Sequence, residues 1–281
     1  MRTGPVRGVP SAAAVCALAA CATPATTLPS PASPGPAAAS PVVYAPGTAR
    51  YRRASHLYVE QEVGGQTQHI NEVLVYFVSA TLARQGDRMM LSLTVDSVPR
   101  YEAGGPASGL AERARGASFT GDLAPNGEII SLGGGDSSNK LVQQLAEDFR
   151  TFYPRVPSTG VEPGSRWTDT TETTSRSGGL PLTVVAVSRH EALMPADSGA
   201  ERALPIRTFT TYSFSGSGSQ GGQAYSVEGE GRRLTTKRLS VVGRYLGMVA
   251  ADTSSYTISL RGLDVSIPGR QTRADTLSII P

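Results

Sequence analysis

Residues 88–98 read RMMLSLTVDSV. Met89, Leu91, Leu93 and Val95 alternate there with Met90, Ser92, Thr94 and Asp96. Successive side chains of a strand point to opposite faces, so period two with one apolar face predicts a half-buried β-strand. The same reading extends outward. Upstream, 55–63 (SHLYVEQEV) and 66–83 (QTQHINEVLVYFVSATLA) flank Gly64-Gly65, a turn signal, and Gln85-Gly86-Asp87 turns the chain into 88–98. Downstream, 101–114 reads as loop and 116–132 as a hairpin about Asn126-Gly127, a pair that tolerates positive φ.

Gly133-Gly134-Gly135 then breaks the sheet, and Asp136, Ser137 or Ser138 can cap a helix. Within 138–152, Leu141, Leu145, Phe149 and Phe152 recur at spacings of four, four and three, which places them on one helical face. Pro154 ends this helix, the one convincing helix of the chain. Pro163-Gly164 opens a second β block with candidate strands at 165–176, 180–194, 203–216, 222–230, 233–245 and 254–262, and a short last strand at 276–280. Gly178-Gly179, Gly221-Gly222 and Gly231 are its candidate hairpin turns. Sequential hairpins favour an antiparallel meander, because parallel strands need crossover connections. The expected fold class is therefore mainly β (α+β). It is a curved antiparallel sheet or half-barrel with one amphipathic helix against the concave face.

Composition narrows the chemistry. Of 281 residues, 26 are Lys or Arg and 23 Asp or Glu, and the formal charge is +3. Arg2 and Arg7 precede Cys21 and no acidic residue does, so the charge falls to +1 without the leader. No basic run is longer than a pair, which argues against a nucleic-acid partner. The two cysteines, Cys16 and Cys21, leave the rest of the chain without thiols. A disulfide framework, an iron–sulfur cluster and a cysteine nucleophile are thereby excluded after Cys21. His56, His69 and His190 are too far apart in sequence for H-x-x-x-H spacing, and no metal or cofactor is expected.

Residues 1–21 read MRTGPVRGVPSAAAVCALAAC. Arg2 and Arg7 give a positive start, and 8–18 form a short, mildly apolar stretch, too short to span a bilayer. Leu18-Ala19-Ala20-Cys21 resembles a bacterial lipobox. The resemblance implies lipidation of Cys21 and cleavage after Ala20. Acyl chains contribute about 0.8 kcal/mol per buried methylene, and more than one makes a stable anchor. Ala22 in place of Asp is compatible with an outer-membrane destination. Residues 22–49 hold seven prolines among Ala, Ser and Thr, with no charge before Arg50, and read as an extended tether. The expected organisation is a signal peptide at 1–20, lipidated Cys21 and a disordered tether at 21–50, and one β-rich envelope domain at 51–281.

A wider pattern lies between 119 and 167. It reads FTGDLAPNGEIISL, then the helix, then YPRVPSTGVEPGSRW, with Phe119, Gly121, Asn126, Gly127, Pro154, Pro157, Pro163, Gly164 and Trp167 as its marked residues. This resembles an uncharacterised domain of bacterial lipoproteins, and the whole layout is similar to the LolA/LppX group. That group has a half-barrel sheet with a helix on its concave side. The resemblance implies an exported, lipid-anchored location and, by fold analogy, an acyl or lipid ligand. A ligand site would lie between helix and sheet, with Leu145, Phe149, Phe152 and Trp167 as candidate lining residues. Its partners would be the membrane, through the N-terminal lipid, and a hydrophobic ligand or an envelope protein.

Other motifs carry less. Gly216–Gly221 matches G-x-G-x-x-G, but a strand-like segment follows where a dinucleotide site needs a helix. Gly133–Lys140 (GGGDSSNK) lacks the G-K-[ST] ending of a phosphate loop. The three histidines fall in strands, as solvent-facing or satisfied residues, and Glu60/Glu62 and Glu228/Glu230 read as solvated outer faces. No catalytic residue is expected. The leading reading is a non-enzymatic carrier of a hydrophobic ligand. The alternatives are a structural or interaction lipoprotein with a filled core, and a hydrolase. A histidine meeting a Ser or a carboxylate in a cleft would keep the hydrolase reading open, and three histidines isolated on the sheet would end it.

Overall fold

The computed structural model describes residues 41–86, 88–102, 109–177, 180–199, 201–220, 223–263 and 265–281. The lipobox residues Leu18, Ala19, Ala20 and Cys21 lie outside the described residues, as do the candidate turns Gly178-Gly179 and Gly221-Gly222. Over the described residues the fold is one open, curved antiparallel sheet with two helices. Its first half contains β1 (Gly47–Val63), β2 (Gln66–Gln85), β3 (Arg88–Glu102), α1 (Leu110–Ala114), β4 (Ser118–Leu123), β5 (Ile129–Gly134) and α2 (Lys140–Arg150). The second half contains β6 (Arg166–Ser177), β7 (Leu180–Ala192), β8 (Ala196–Ser198), β9 (Glu201–Gln220), β10 (Gln223–Ser240), β11 (Tyr245–Leu260) and β12 (Val265–Ile280).

Strand order is β5-β4-β3-β2-β1-β12-β11-β10-β9-β7-β6, with β8 paired to β9. Two meanders thus meet where β1 pairs with β12. β5 and β6 are adjacent in sequence among the strands but form opposite edges of the sheet. The segment between them carries α2 across the concave face. Its buried face, Leu141, Val142, Leu145 and Phe149, covers one end of the sheet. There Phe149 meets Tyr76, Phe119 and Phe152 edge-on at ring separations of 6.0, 5.2 and 6.1 Å. Such pairings contribute beyond the area they bury.

Several boundaries depart from the sequence reading. The fold begins before residue 51: Val42 bridges Val161, and Tyr44 is buried with its hydroxyl donating to the Pro154 carbonyl. The segment 101–114, read as loop, contains the last two residues of β3 and the short α1, while 103–108 lie outside the described residues. The cap of α2 is Asn139, whose Oδ1 accepts from the N–H groups of Leu141 and Val142 at 3.0 and 3.4 Å. Asp136 instead accepts from Ser138 N–H at 2.8 Å, one turn too early to cap the helix. Asn126-Gly127 does turn the chain, with Gly127 at φ +82° and its N–H on Ala124 O at 2.8 Å.

Gly231 is not a turn. β10 runs unbroken through Gly229 and Gly231, and the turn falls at residues 241–244, where Gly243 has φ +88°. Cross-strand register supplies the reason. Gly231 stands opposite Tyr212, and Gly229 lies between Phe214 and Tyr256. A Cβ at either position would collide with those rings. Glycine lets the aromatic rings lie over the strand, a packing that offsets its poor strand propensity. Gly231→Val is therefore expected to displace Tyr212 and to cost about 1–3 kcal/mol, read as a lowered urea midpoint. An unchanged midpoint would contradict this packing.

Candidate functional site

Beyond the end covered by α2, the long strands β6, β7 and β9–β12 continue, and among the described residues no helix lies above them. Their inner face forms a groove of about 850 Å³. Antiparallel register arranges its lining in successive rungs, each made of directly opposed residues. The rung beside the core runs Trp167, His190, Thr208, Thr235, Ala250, Asp275, Ser55. The next runs Asp169, Ser188, Thr210, Arg233, Asp252, Arg273. Both are dominated by polar side chains. Two rungs further out, the order is Thr173, Val184, Phe214, Gly229, Tyr256, Gly269, and beyond it Leu182, Gly216, Val227, Ile258, Ile267. The outer groove is aromatic and aliphatic, with glycines beneath the rings.

The polar band is built from charge pairs. Arg53 on β1 reaches Asp275 at 3.3 Å and Asp148 of α2 at 3.5 Å, and Arg273 reaches the same carboxylates at 3.0 and 3.2 Å. This cluster fastens α2 to β1 and β12. Desolvation would lower the Arg53 pKa, but Asp148, the Tyr76 hydroxyl and Asp275 outweigh it and hold the guanidinium charged. Arg233 pairs with Asp252 at 2.6 Å, and Tyr212 OH donates to the other Asp252 oxygen at 2.6 Å. Arg155 bonds Glu128 at 2.9 Å and faces Asp169 at 3.8 Å.

Lys237 differs from these arginines. Its ammonium donates to the backbone carbonyls of Thr151, Phe152 and Tyr153 at 2.6, 3.4 and 2.8 Å, just past the C-terminus of α2. Among the described residues no carboxylate pairs with it. Burial, then the cations Arg233, Arg53 and Arg155, push its pKa down to about 7. The three carbonyl acceptors oppose that shift by favouring the ammonium form.

His190 is satisfied and buried, whereas His56 and His69 bond to Asn71 and Tyr58 on exposed side chains. His190 Nε2 meets Asp169 Oδ1 at 3.2 Å and Nδ1 meets Thr208 Oγ1 at 2.9 Å, while Trp167 stacks on the ring at 4.9 Å. With Asp169 ionised, Nε2 carries the proton and Nδ1 accepts from the Thr208 hydroxyl. This hydroxyl–imidazole–carboxylate relay faces the groove. Thr208 lies inside β9, which is paired on both sides, so the ladders occupy the nearby backbone N–H groups that an oxyanion would need.

The Asp169 pKa is lowered chiefly by its hydrogen bond to His190. For Asp275, burial alone would raise the pKa, but Arg53 and Arg273 outweigh it and leave the value lowered. Both carboxyls therefore titrate below the ordinary aspartate value of 3.8. Their stabilisation is present above that value and is lost as pH falls through their lower folded pKa values. The urea midpoint is expected to drop between about pH 5 and pH 2. A flat midpoint over that range would contradict the pairing.

The sequence-derived candidates separate. Leu145, Phe149 and Phe152 are buried in the core with α2 and do not line the groove. Trp167 is half-buried at the β6 edge, against His190. The groove residues Arg233, Arg273, Phe214, Tyr256 and Ile258 were not candidates, nor was Asp252, buried against Arg233. Their signal was present as charged or aromatic residues at inner-parity positions of long strands. The G-x-G-x-x-G stretch begins inside β9, with Gly216 and Gly218 as strand residues. Among the described residues no cluster of three or more His, Cys, Asp or Glu could hold a metal ion. No helix among them is long and apolar enough to cross a membrane. The sequence matches no protein-family model and no curated protein.

Proposed function

We propose that the protein is a lipid-anchored bacterial envelope protein, non-enzymatic, whose half-barrel binds a hydrophobic ligand with an acyl chain. The observation that carries this reading is the outer groove. Val184, Leu182, Phe214, Val227, Tyr256 and Ile258 form an apolar strip on an inner sheet face that α2 leaves uncovered. Pockets of 300–1,000 Å³ with apolar walls and a few placed polar groups suit small hydrophobic molecules. The lipobox-like Leu18-Ala19-Ala20-Cys21 supports attachment through Cys21 and export to the periplasmic face of the envelope. A carrier anchored this way would need no cofactor and no nucleic acid.

The test is native mass spectrometry of the full chain carrying Cys21→Ser, offered a long-chain fatty acid. One acyl adduct per chain is expected. A consistently empty protein would contradict the carrier reading and favour a structural lipoprotein. Anchoring is tested separately: Cys21→Ser should abolish acyl labelling in cells, and persistent labelling would refute it.

A hydrolase is the second reading, favoured by the Thr208–His190–Asp169 relay. The occupied strand N–H groups weigh against it. Hydrolysis of an acyl ester by the parent chain, lost in His190→Gln, would overturn the non-enzymatic reading.

A further inference from the structure

We propose that the head group of the groove's ligand is uncharged and carries hydroxyl groups, as in a monoacylglycerol. The inference rests on the acyl-ligand reading and names the chemistry at the other end of the same molecule. The groove is polar near the core and apolar toward its open end, so an amphiphile fits it in one orientation. Its tail lies along Phe214, Val227 and Ile258, and its head meets the polar band.

The neutrality of the head follows from the charge balance of the band. Arg53 and Arg273 share Asp148 and Asp275, and Asp252 lies 2.6 Å from Arg233. Arg155 faces two carboxylates, Glu128 at 2.9 Å and Asp169 at 3.8 Å. The second of these offsets Lys237, whose ammonium is spent on three backbone carbonyls. With the His190 ring neutral, the charges of the band cancel among the described residues. A head group of either sign would lose hydration on entering and meet no net countercharge. An uncharged head avoids that cost.

The hydroxyl follows from the Arg155–Asp169 gap. Both side chains line the groove, and Arg155 Nη1 stands 3.8 Å from Asp169 Oδ2, too far for a hydrogen bond. Side-chain exposures of 35% and 24% leave the pair open to a ligand. A hydroxyl both donates and accepts, so it can donate to the carboxylate while it accepts from the guanidinium. A carboxylate head could only accept, and would stand against Asp169. An ammonium head could only donate, and would stand against Arg155.

The experiment compares ligands of equal acyl length on the full chain carrying Cys21→Ser. Monolaurin, methyl laurate, lauric acid and dodecylamine are titrated calorimetrically as monomers at about pH 8, where the acid is ionised and the amine protonated. Lauric acid and dodecylamine are expected to bind through the same tail contacts, each at least about tenfold more weakly than monolaurin, a difference of about 1.4 kcal/mol. Methyl laurate, uncharged but without hydroxyls, should also bind more weakly than monolaurin. Asp169→Asn leaves the band one positive charge in excess and should narrow the gap between monolaurin and lauric acid. Glu128→Gln does the same at a more exposed position, in case the first variant does not fold. Lauric acid or dodecylamine binding as tightly as monolaurin overturns the head-group inference and leaves the acyl reading standing. Equal binding of methyl laurate and monolaurin overturns the hydroxyl. A gap unchanged in the folded variants overturns the assignment to charge balance. Absence of binding by all four ligands overturns the acyl reading and this inference together.

Discussion

Phe149→Ala is expected to lower the unfolding free energy by about 3–5 kcal/mol, the largest effect of any single truncation on α2. Phe149 is fully buried and packs against Tyr76, Phe119 and Phe152, which come from β2, β4 and the segment after the helix. Removing the ring takes away its transfer free energy and leaves a cavity. The rigid rings around it, held by the sheet, cannot easily collapse into that space. Ala146, only partly buried on the same helix, gives the contrast: Ala146→Ser should change stability little. Urea unfolding followed by circular dichroism reads both. A loss below about 1 kcal/mol for Phe149→Ala would mean that α2 is not the plug of the core.

Arg53→Met should destabilise by about 3–5 kcal/mol for a different reason. Arg53 is 5% exposed and sits between Asp275, Asp148 and the Tyr76 hydroxyl. Its removal leaves two poorly hydrated carboxylates sharing Arg273. Breaking one partner of a buried pair is costly because the remaining charge has no compensation, even where the intact pair contributes little net stability. The double variant Arg53→Met/Asp275→Asn should therefore recover part of the loss. Additive single effects would show that the two side chains are not coupled in the folded state.

Local structure was legible where one residue type decides it. The alternation of Met89, Leu91, Leu93 and Val95 marked β3, and the recurrence of Leu141, Leu145, Phe149 and Phe152 marked the helix that covers the concave face. Long-range pairing was not legible. Nothing in 276–280 announces a strand beginning at Val265, because its Gly269 and polar residues gain their place only opposite Tyr256 and β1. Gly231 read as a turn for the same reason: its partner Tyr212 is distant in sequence.

The site was hidden by strand order. Arg233, Asp252 and Arg273 each look like a charge on a solvated strand. Together they form one rung, visible only when β10, β11 and β12 are in register. Leu145, Phe149 and Phe152 drew the ligand site toward the helix. Their helical spacing signals burial, and in this fold the burial is against the core, with the groove lying beyond.

The central claim is that an acyl tail occupies the inner face of β7 and β9–β11. Photo-crosslinking with a fatty acid carrying a diazirine near its tail end, followed by peptide mapping, tests it most directly. Strand alternation makes the readout sharp, because neighbouring residues lie on opposite faces. The account predicts label on Val184, Phe214, Val227 and Ile258. Label confined to the exposed outer-face residues Phe209, Leu234 and Val249 would contradict it.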